Sequence, residues 1–194
     1  MVPSVVAVSA SPDHTFSKPN LSSITLIAGA GVDGDAHSGE LVKHRYLVRK
    51  DATQPNLRQV HLIHKELCDQ LAGQGYTVAA GELGENITTE GVALLALPTG
   101  TQLRIGSDVV VELTGLRNPC LQIDDFQEGL GRLLRYRDDD GSIARIAGVM
   151  GVVLAGGEVR PRDTIEVERP AEPHAPLVYV ANSHTPVRTP GSHA

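Results

Sequence analysis

Cys120 ends the segment Gly115-Leu116-Arg117-Asn118-Pro119-Cys120, with a guanidinium three residues before its sulfur and a proline immediately before it. Proline fixes its own φ and pushes Asn118 toward an extended backbone, so the sulfur sits on a stiff turn. The segment leaves an apolar run, Asp108 to Leu113, and leads into a stretch that reads as a helix over 125–136. There Asp125 and Glu128 are spaced like a capping box, and Phe126, Leu130, Leu133 and Leu134 share one face. A cysteine between a cation and a helix start is favoured as a thiolate, the form that attacks electrophiles and binds metals. The same position also suits a small buried hydrophobe in a strand-to-helix turn. Exposure and charge decide between the two.

A second polar stretch, Gly81-Glu82-Leu83-Gly84-Glu85-Asn86-Ile87-Thr88-Thr89-Glu90-Gly91, interleaves turn-forming glycines with an acid, an amide and two hydroxyls. Such a segment can present donors to a polar ligand, or it can be a glycine-bounded strand whose Asn86 satisfies neighbouring backbone groups. Asp33, Asp35 and His37 alternate and would share one face if extended. They suit a divalent metal, but a loop held by local side-chain to backbone bonds is the more common outcome and is expected here. His61, His64 and Cys68 would resemble a soft metal site on one helix, yet His61 lies in a β-type run, so no zinc site is expected. No Ser-His-Asp order, nucleotide phosphate loop or dinucleotide-binding glycine fingerprint occurs.

The elements that must position these residues are mostly short strands. Strand patterns cover Val5–Ala10, Ile24–Ile27, Gln59–Ile63, Gln102–Ile105, Asp108–Leu113, much of Ile143–Ala155, and Thr164–Glu168. Gly106-Ser107 is spaced as a two-residue hairpin connection. Lys65–Ala72 reads as an amphipathic helix carrying Leu67 and Leu71, with Gly73 as its stop. His37–Asn56 is polar and aperiodic, the mark of a long surface loop. From Pro170 onward the pattern fades into a Pro- and His-bearing tail, 170–194.

With 20 Gly and 12 Pro in 194 residues, the composition favours a β-dominated α+β domain over a helical bundle. A formal charge of -6 and 3% aromatic residues argue against nucleic-acid binding, which calls for a basic surface or stacking platforms. Local basic clusters at Lys43-His44-Arg45 and Arg132-Leu133-Leu134-Arg135-Tyr136-Arg137 read as solvated faces, the second especially. No run is long enough to span a membrane as a helix, and residues 1–20 lack a signal-peptide pattern, so a cytoplasmic chain with two independent thiols is expected.

Taken in order, the segments resemble the MOSC family, the domain related to the C-terminal part of molybdenum cofactor sulfurase. Gly31-Val32-Asp33-Gly34-Asp35-Ala36-His37 is similar to its early glycine/aspartate turn, and Arg58-Gln59-Val60-His61-Leu62-Ile63 to its central strand. Gly81-Glu82-Leu83-Gly84-Glu85-Asn86-Ile87 resembles its GENI segment, and Arg117-Asn118-Pro119-Cys120 the segment with its hallmark cysteine. Gly151–Val159 and Asp163–Val167 fit its closing strands. The resemblance spans about residues 1–168 and sets a MOSC domain at 1–169. It implies a pyruvate-kinase-like β-barrel with a few peripheral helices.

The resemblance also implies a role around the molybdenum cofactor, with Cys120 as molybdenum ligand or sulfur carrier. Asn86, Arg117 and Asn118 then become candidates to hold phosphate and pterin edges, with Glu85, Thr88, Arg58, Lys43 and Arg45 behind them. Arginine suits a phosphate because its planar fork donates two parallel bonds. No pyridoxal-phosphate domain, iron–sulfur cysteine cluster or flavin segment is seen, so electrons or sulfur must come from a separate redox partner or sulfur donor. The leading expectation is a reductase of N-hydroxylated compounds such as hydroxylamino-purines and amidoximes. Its rivals are a persulfide or cofactor carrier and a partner-binding barrel without catalysis. A homodimer through exposed strand edges is also expected.

Overall fold

In the computed structural model, which describes residues 2–43, 48–49 and 51–180, the short Val/Ile/Leu-rich runs become strands. These are β1 (Ser4–Ser9), β2 (Asn20–Leu21), β3 (Ile24–Ile27), β4 (Gly31–Val32), β5 (Val60–His64), β6 (Ile87–Glu90), β7 (Gln102–Ile105) and β8 (Val109–Leu116). They continue with β9 (Arg135–Arg137), β10 (Ile143–Arg145), β11 (Val149–Ala155), β12 (Gly157–Val159) and β13 (Ile165–Glu168). Short α-helices accompany them, among them α1 (Lys65–Ala72), α2 (Gln122–Phe126) and α3 (Leu130–Leu134).

The main sheet has eight strands in the order β13-β7-β8-β11-β5-β6-β1-β2. It is mixed, because β5 and β6 run parallel and every other pairing in it is antiparallel. Smaller sheets, β12-β3-β4 and β10-β9, complete the fold. Period-2 burial along β3 and β8 turns one face inward, as alternation of Cβ directions requires. The resulting core joins Val8, Leu26, Leu62, Ile87, Leu103, Leu113 and their neighbours. A second cluster lies under the helices, where Ile63, Leu67, Leu71, Leu83, Ile123, Leu130 and Leu134 meet. Each such side chain taken out of water contributes roughly 1.5–3 kcal/mol before entropy is counted.

The structure corrects several expectations. The main sheet is open and not the closed barrel that the family resemblance implied. Residues 3–5 do approach 162–165, through Val5 N–H to Asp163 O, Arg162 N–H to Val5 O and Ile165 N–H to Pro3 O. Only an isolated bridge at Ser4 and Thr164 forms there, short of a continuous ladder. The single helix expected over 125–136 is two helices and a strand. Gln127 is extended and Gly129 is left-handed (φ 85°), which breaks the helix, and Arg135–Arg137 then pairs with β10. No capping box forms; instead Asp124 Oδ1 accepts from Gly131 N–H at 2.9 Å.

Register also differs from the sequence reading in the β7–β8 hairpin. Ile105 faces Val109, so Gly106, Ser107 and Asp108 form a three-residue connection in place of the expected Gly106-Ser107 pair. Gly73 stays right-handed (φ -62°), and the left-handed residue that follows α1 is Gly75. The His37–Asn56 loop is tied at its neck, where Asn56 Nδ2 donates to His37 O and Gly39 O. Residues 170–180, read as part of a tail, are held against the body: Thr99 N–H donates to Ala175 O, Leu116 N–H donates to Val178 O, and Leu177 and Val180 are buried. No helix among the described residues is long and apolar enough to cross a membrane.

Candidate functional site

Strand β8 delivers the Arg117–Cys120 segment to the mouth of a cleft of about 450 Å³. Arg117 N–H donates to Gly148 O at 3.0 Å, which fixes the exit of β8 against the start of β11. Cys120 then turns into α2, its carbonyl accepting from Ile123 N–H at 3.2 Å. The sulfur is half-buried and packs beside the second core, with its S–H directed at Gln122 Oε1 at 3.9 Å. The buried-hydrophobe reading therefore describes only one side of Cys120, because the residue also lines the cleft.

The lining is strongly cationic. Lys18, Lys43, Arg49, Arg58 and Arg117 border it, and among the described residues no carboxylate does. Arg117 as a whole is half-buried. Its Nη1 is inaccessible to solvent and has no hydrogen-bond partner. Burial pushes the Arg117 guanidinium below its ordinary pKa, while the neighbouring Cys120 sulfur and the Glu85 carboxyl act to raise it. An unpartnered guanidinium nitrogen in a buried position is costly, and an anionic group entering the cleft would satisfy it.

Behind the lining lies a buried polar network. Lys18 Nζ stands 2.7 Å from Asp35 Oδ2, with side chains only 5% and 2% exposed. The same carboxylate oxygen accepts from Asn86 Nδ2 at 3.0 Å and from Ser11 N–H at 3.3 Å. Oδ1 accepts from His37 N–H at 2.9 Å and faces His37 Nδ1 at 3.3 Å. Burial alone would raise the Asp35 carboxyl, but the His37 hydrogen bonds and the Lys18 ammonium outweigh it and hold it well below the usual carboxylate range. For Lys18 burial wins, and its pKa is lowered despite Asp35. His37 stacks on His14 with ring centroids 5.0 Å apart. The glycine/aspartate turn is thus the locally bonded loop expected, and the described residues contain no group of three or more His, Cys, Asp or Glu able to hold a metal.

The structure gathers some of the candidate residues and separates others. Arg58, Asn86, Arg117, Asn118, Cys120 and Lys43 all line the cleft. Asn86 has little left to offer a ligand: Oδ1 accepts from His61 N–H at 3.2 Å and Nδ2 donates to Ser9 O and Asp35. Glu85 and Thr88 are outside the lining and buried, with Thr88 Oγ1 donating to Glu85 Oε1 at 3.1 Å and Gly81 N–H to the same oxygen at 2.6 Å. Burial raises the Glu85 carboxyl. Arg45 lies outside the described residues. Lys18, Arg49, His14 and His37 join the lining without having been singled out for it. Lys18 stands in a Ser/Pro loop with no periodicity, so nothing local marked it. His61, fully buried and donating Nε2–H to Ala147 O at 2.9 Å, forms part of the floor.

Comparison with known proteins matches the MOSC domain model over residues 37–166. The fold is similar to that of the YuaD protein from Bacillus subtilis, at 20% identity and TM-score 0.69, covering 88% of this chain and 98% of that one. It is also similar to YiiM from Geobacillus stearothermophilus (15% identity, TM-score 0.63, 92% and 81% covered) and to YiiM from Escherichia coli (16%, 0.58, 90% and 73%). No curated protein matches. The family model spans well over half of the chain, from His37 across the central strand, the Asn86 segment and Cys120, and the chain belongs to the MOSC domain family.

Proposed function

We propose that this MOSC protein binds the molybdenum cofactor in the Cys120 cleft and reduces N-hydroxylated substrates there. The MOSC family is associated with that cofactor. The observation that carries the reading is the pairing of a half-buried thiol with an arginine whose buried Nη1 has no partner, in a cleft lined, among the described residues, by cations and no carboxylate. These residues fit the group. A soft sulfur donor suits a metal already held by sulfur, and guanidinium and ammonium groups suit its phosphate.

In this reading Cys120 is the protein's ligand to molybdenum, and Arg117, Arg58 and Lys18 hold the phosphate end. Asn118 serves as an edge contact. Asn86 and Asp35 act from behind, fixing the wall from which Lys18 projects. When bound, the cofactor supplies two-electron chemistry, so that R–NHOH with two electrons and two protons gives R–NH2 and water. The electrons come from a separate donor. The chain's own residues bind and orient the anionic group, keep carboxylates away from it, and shield the sulfur from bulk water on its core-facing side.

The test is elemental analysis of protein purified without oxygen from a cofactor-producing host, beside Cys120→Ala. Near-stoichiometric molybdenum in the wild type and its loss in the variant is the expected result. With an artificial electron donor the loaded protein should reduce a hydroxylamino-purine, and Cys120→Ser should lower the rate at least 100-fold. Turnover retained in that variant would sink the role given to the sulfur.

A carrier reading has one observation of its own. Leu121, next to the sulfur, is 88% exposed, an apolar contact that a sulfur-donor protein could cover. Mass spectrometry after incubation with a cysteine desulfurase separates the two, because a carrier gains one sulfur atom on Cys120.

A further inference from the structure

The last described residues return to the cleft. Leu116 N–H donates to Val178 O at 2.8 Å, and Leu116 and Tyr179 form a parallel bridge, so 177–180 runs beside the end of β8. Leu177 and Val180 are buried, and Gly115 permits the approach, since a Cβ there would collide with Val178 O and with Val180 Cγ2. The backbone of this segment is therefore anchored without help from the Tyr179 ring.

That ring has two cations on it. The guanidinium carbons of Arg58 and Arg145 each lie 5.2 Å from its centroid. Arg58 borders the cleft and donates through Nη2 to Val180 O. Arg145 donates through Nε to Asn118 Oδ1 at 3.0 Å, two residues before Cys120. Neither arginine has a carboxylate partner among the described residues, and the Arg58 charge is felt at Arg117. Like charges gathered this way repel until an anion arrives. A π face offsets part of that repulsion and restricts the long side chains to the geometry an anion needs.

We propose that Tyr179, which stands behind the cleft lining, is a positioning residue that holds Arg58 ready for a phosphate-bearing ligand and Arg145 against the lining residue Asn118, so that the 177–180 segment supports the binding site. Ordering two flexible arginines in advance lowers the entropy lost when the anion binds. The inference rests on the reading of the cleft as an anion site.

The test compares the full chain with Tyr179→Phe, which keeps the ring, and Tyr179→Leu, which keeps apolar volume and loses the π face. In the ligand-free protein the Nε–H resonances of Arg58 and Arg145, assigned through Arg58→Lys and Arg145→Lys, should carry ring-current shifts in wild type and Tyr179→Phe. They should lose them in Tyr179→Leu. Inorganic pyrophosphate, titrated by calorimetry, should bind about tenfold more weakly to Tyr179→Leu and within twofold of wild type to Tyr179→Phe. Equal affinity in Tyr179→Leu, or an equal loss in Tyr179→Phe, overturns the inference while leaving the anion site standing. Absence of saturable pyrophosphate binding in the wild type removes the anion site itself, and the inference with it.

Discussion

Asp35 has a neighbour on every side, from Lys18 and Asn86 to Ser11 and His37. Its role is to hold the wall of the cleft rather than to meet a ligand. Removing one member of a buried ion pair strands the other charge, at a cost of roughly 3–5 kcal/mol. Lys18→Met should therefore lower unfolding stability by about 3 kcal/mol or more in urea titrations, and Asp35→Asn added to it should recover part of that loss. A loss under about 1 kcal/mol, within the range of an exposed pair, would mean that the pair is solvated in solution. Half of this arrangement was legible in the sequence. The Asp35–His37 bond is local, and alternating Asp and His in a glycine turn announces it. Lys18 was not legible, because its partner is reached through tertiary folding and no spacing rule relates the two. Cys120 and Arg117 were legible through short-range chemistry, while the saturation of Asn86 by Ser9, His61 and Asp35 depends on three separate strands or turns.

At the scale of elements, long-range pairing decided what local pattern could not. Strand β3 and helix α1 were read from the sequence with their observed bounds, because alternation and amphipathic spacing are local signals. The 125–136 stretch has helical spacing throughout, yet β10 captures Arg135–Arg137 as a strand and Gly129 turns the chain before it. Openness of the main sheet depends on which edges meet, and no single run of sequence encodes that. The approach of β11 to β5 depends on Gly148, whose φ is 98° and whose added Cβ would collide with Leu62 O and sit 2.9 Å from His61 Nε2. Gly148→Ala should cost roughly 3 kcal/mol, from left-handed strain and the backbone clash together. Thermal unfolding would measure it. Because Gly148 O also receives Arg117 N–H, the same variant should disturb the Arg117 amide resonance, and an unshifted amide with wild-type stability would refute this account.

Over the whole molecule, several buried ionisable groups combine to set how stability varies with pH. His61 is buried, and burial followed by the Arg117 charge holds its pKa well below the ordinary value, with Lys18 adding to the effect and the Ala147 and Gly84 carbonyls opposing it. His64 is lowered by burial too, but it is more exposed and contributes less. A group with a depressed histidine pKa stays neutral in the folded chain, while the unfolded chain takes up its proton near pH 6.5. Acidification below that value therefore favours unfolding, by up to about 1.4 kcal/mol per pH unit for His61. Glu85 works in the opposite sense: burial raises its pKa, so the folded state gains on protonation and recovers part of the loss. Asp35 has a depressed carboxylate pKa, so its contribution is fully present above about pH 4 and fades only as pH falls further. The sum predicts a stability lower by roughly 1–3 kcal/mol at pH 5.5 than at pH 7.5, read from urea midpoints at each pH. His61→Gln keeps a donor for Ala147 O and removes the titrating ring, so its acid limb should be shallower than that of the wild type. A wild-type profile that is flat or rises toward pH 5.5 would mean that Glu85 governs this range, and an unchanged limb in His61→Gln would place the proton uptake elsewhere.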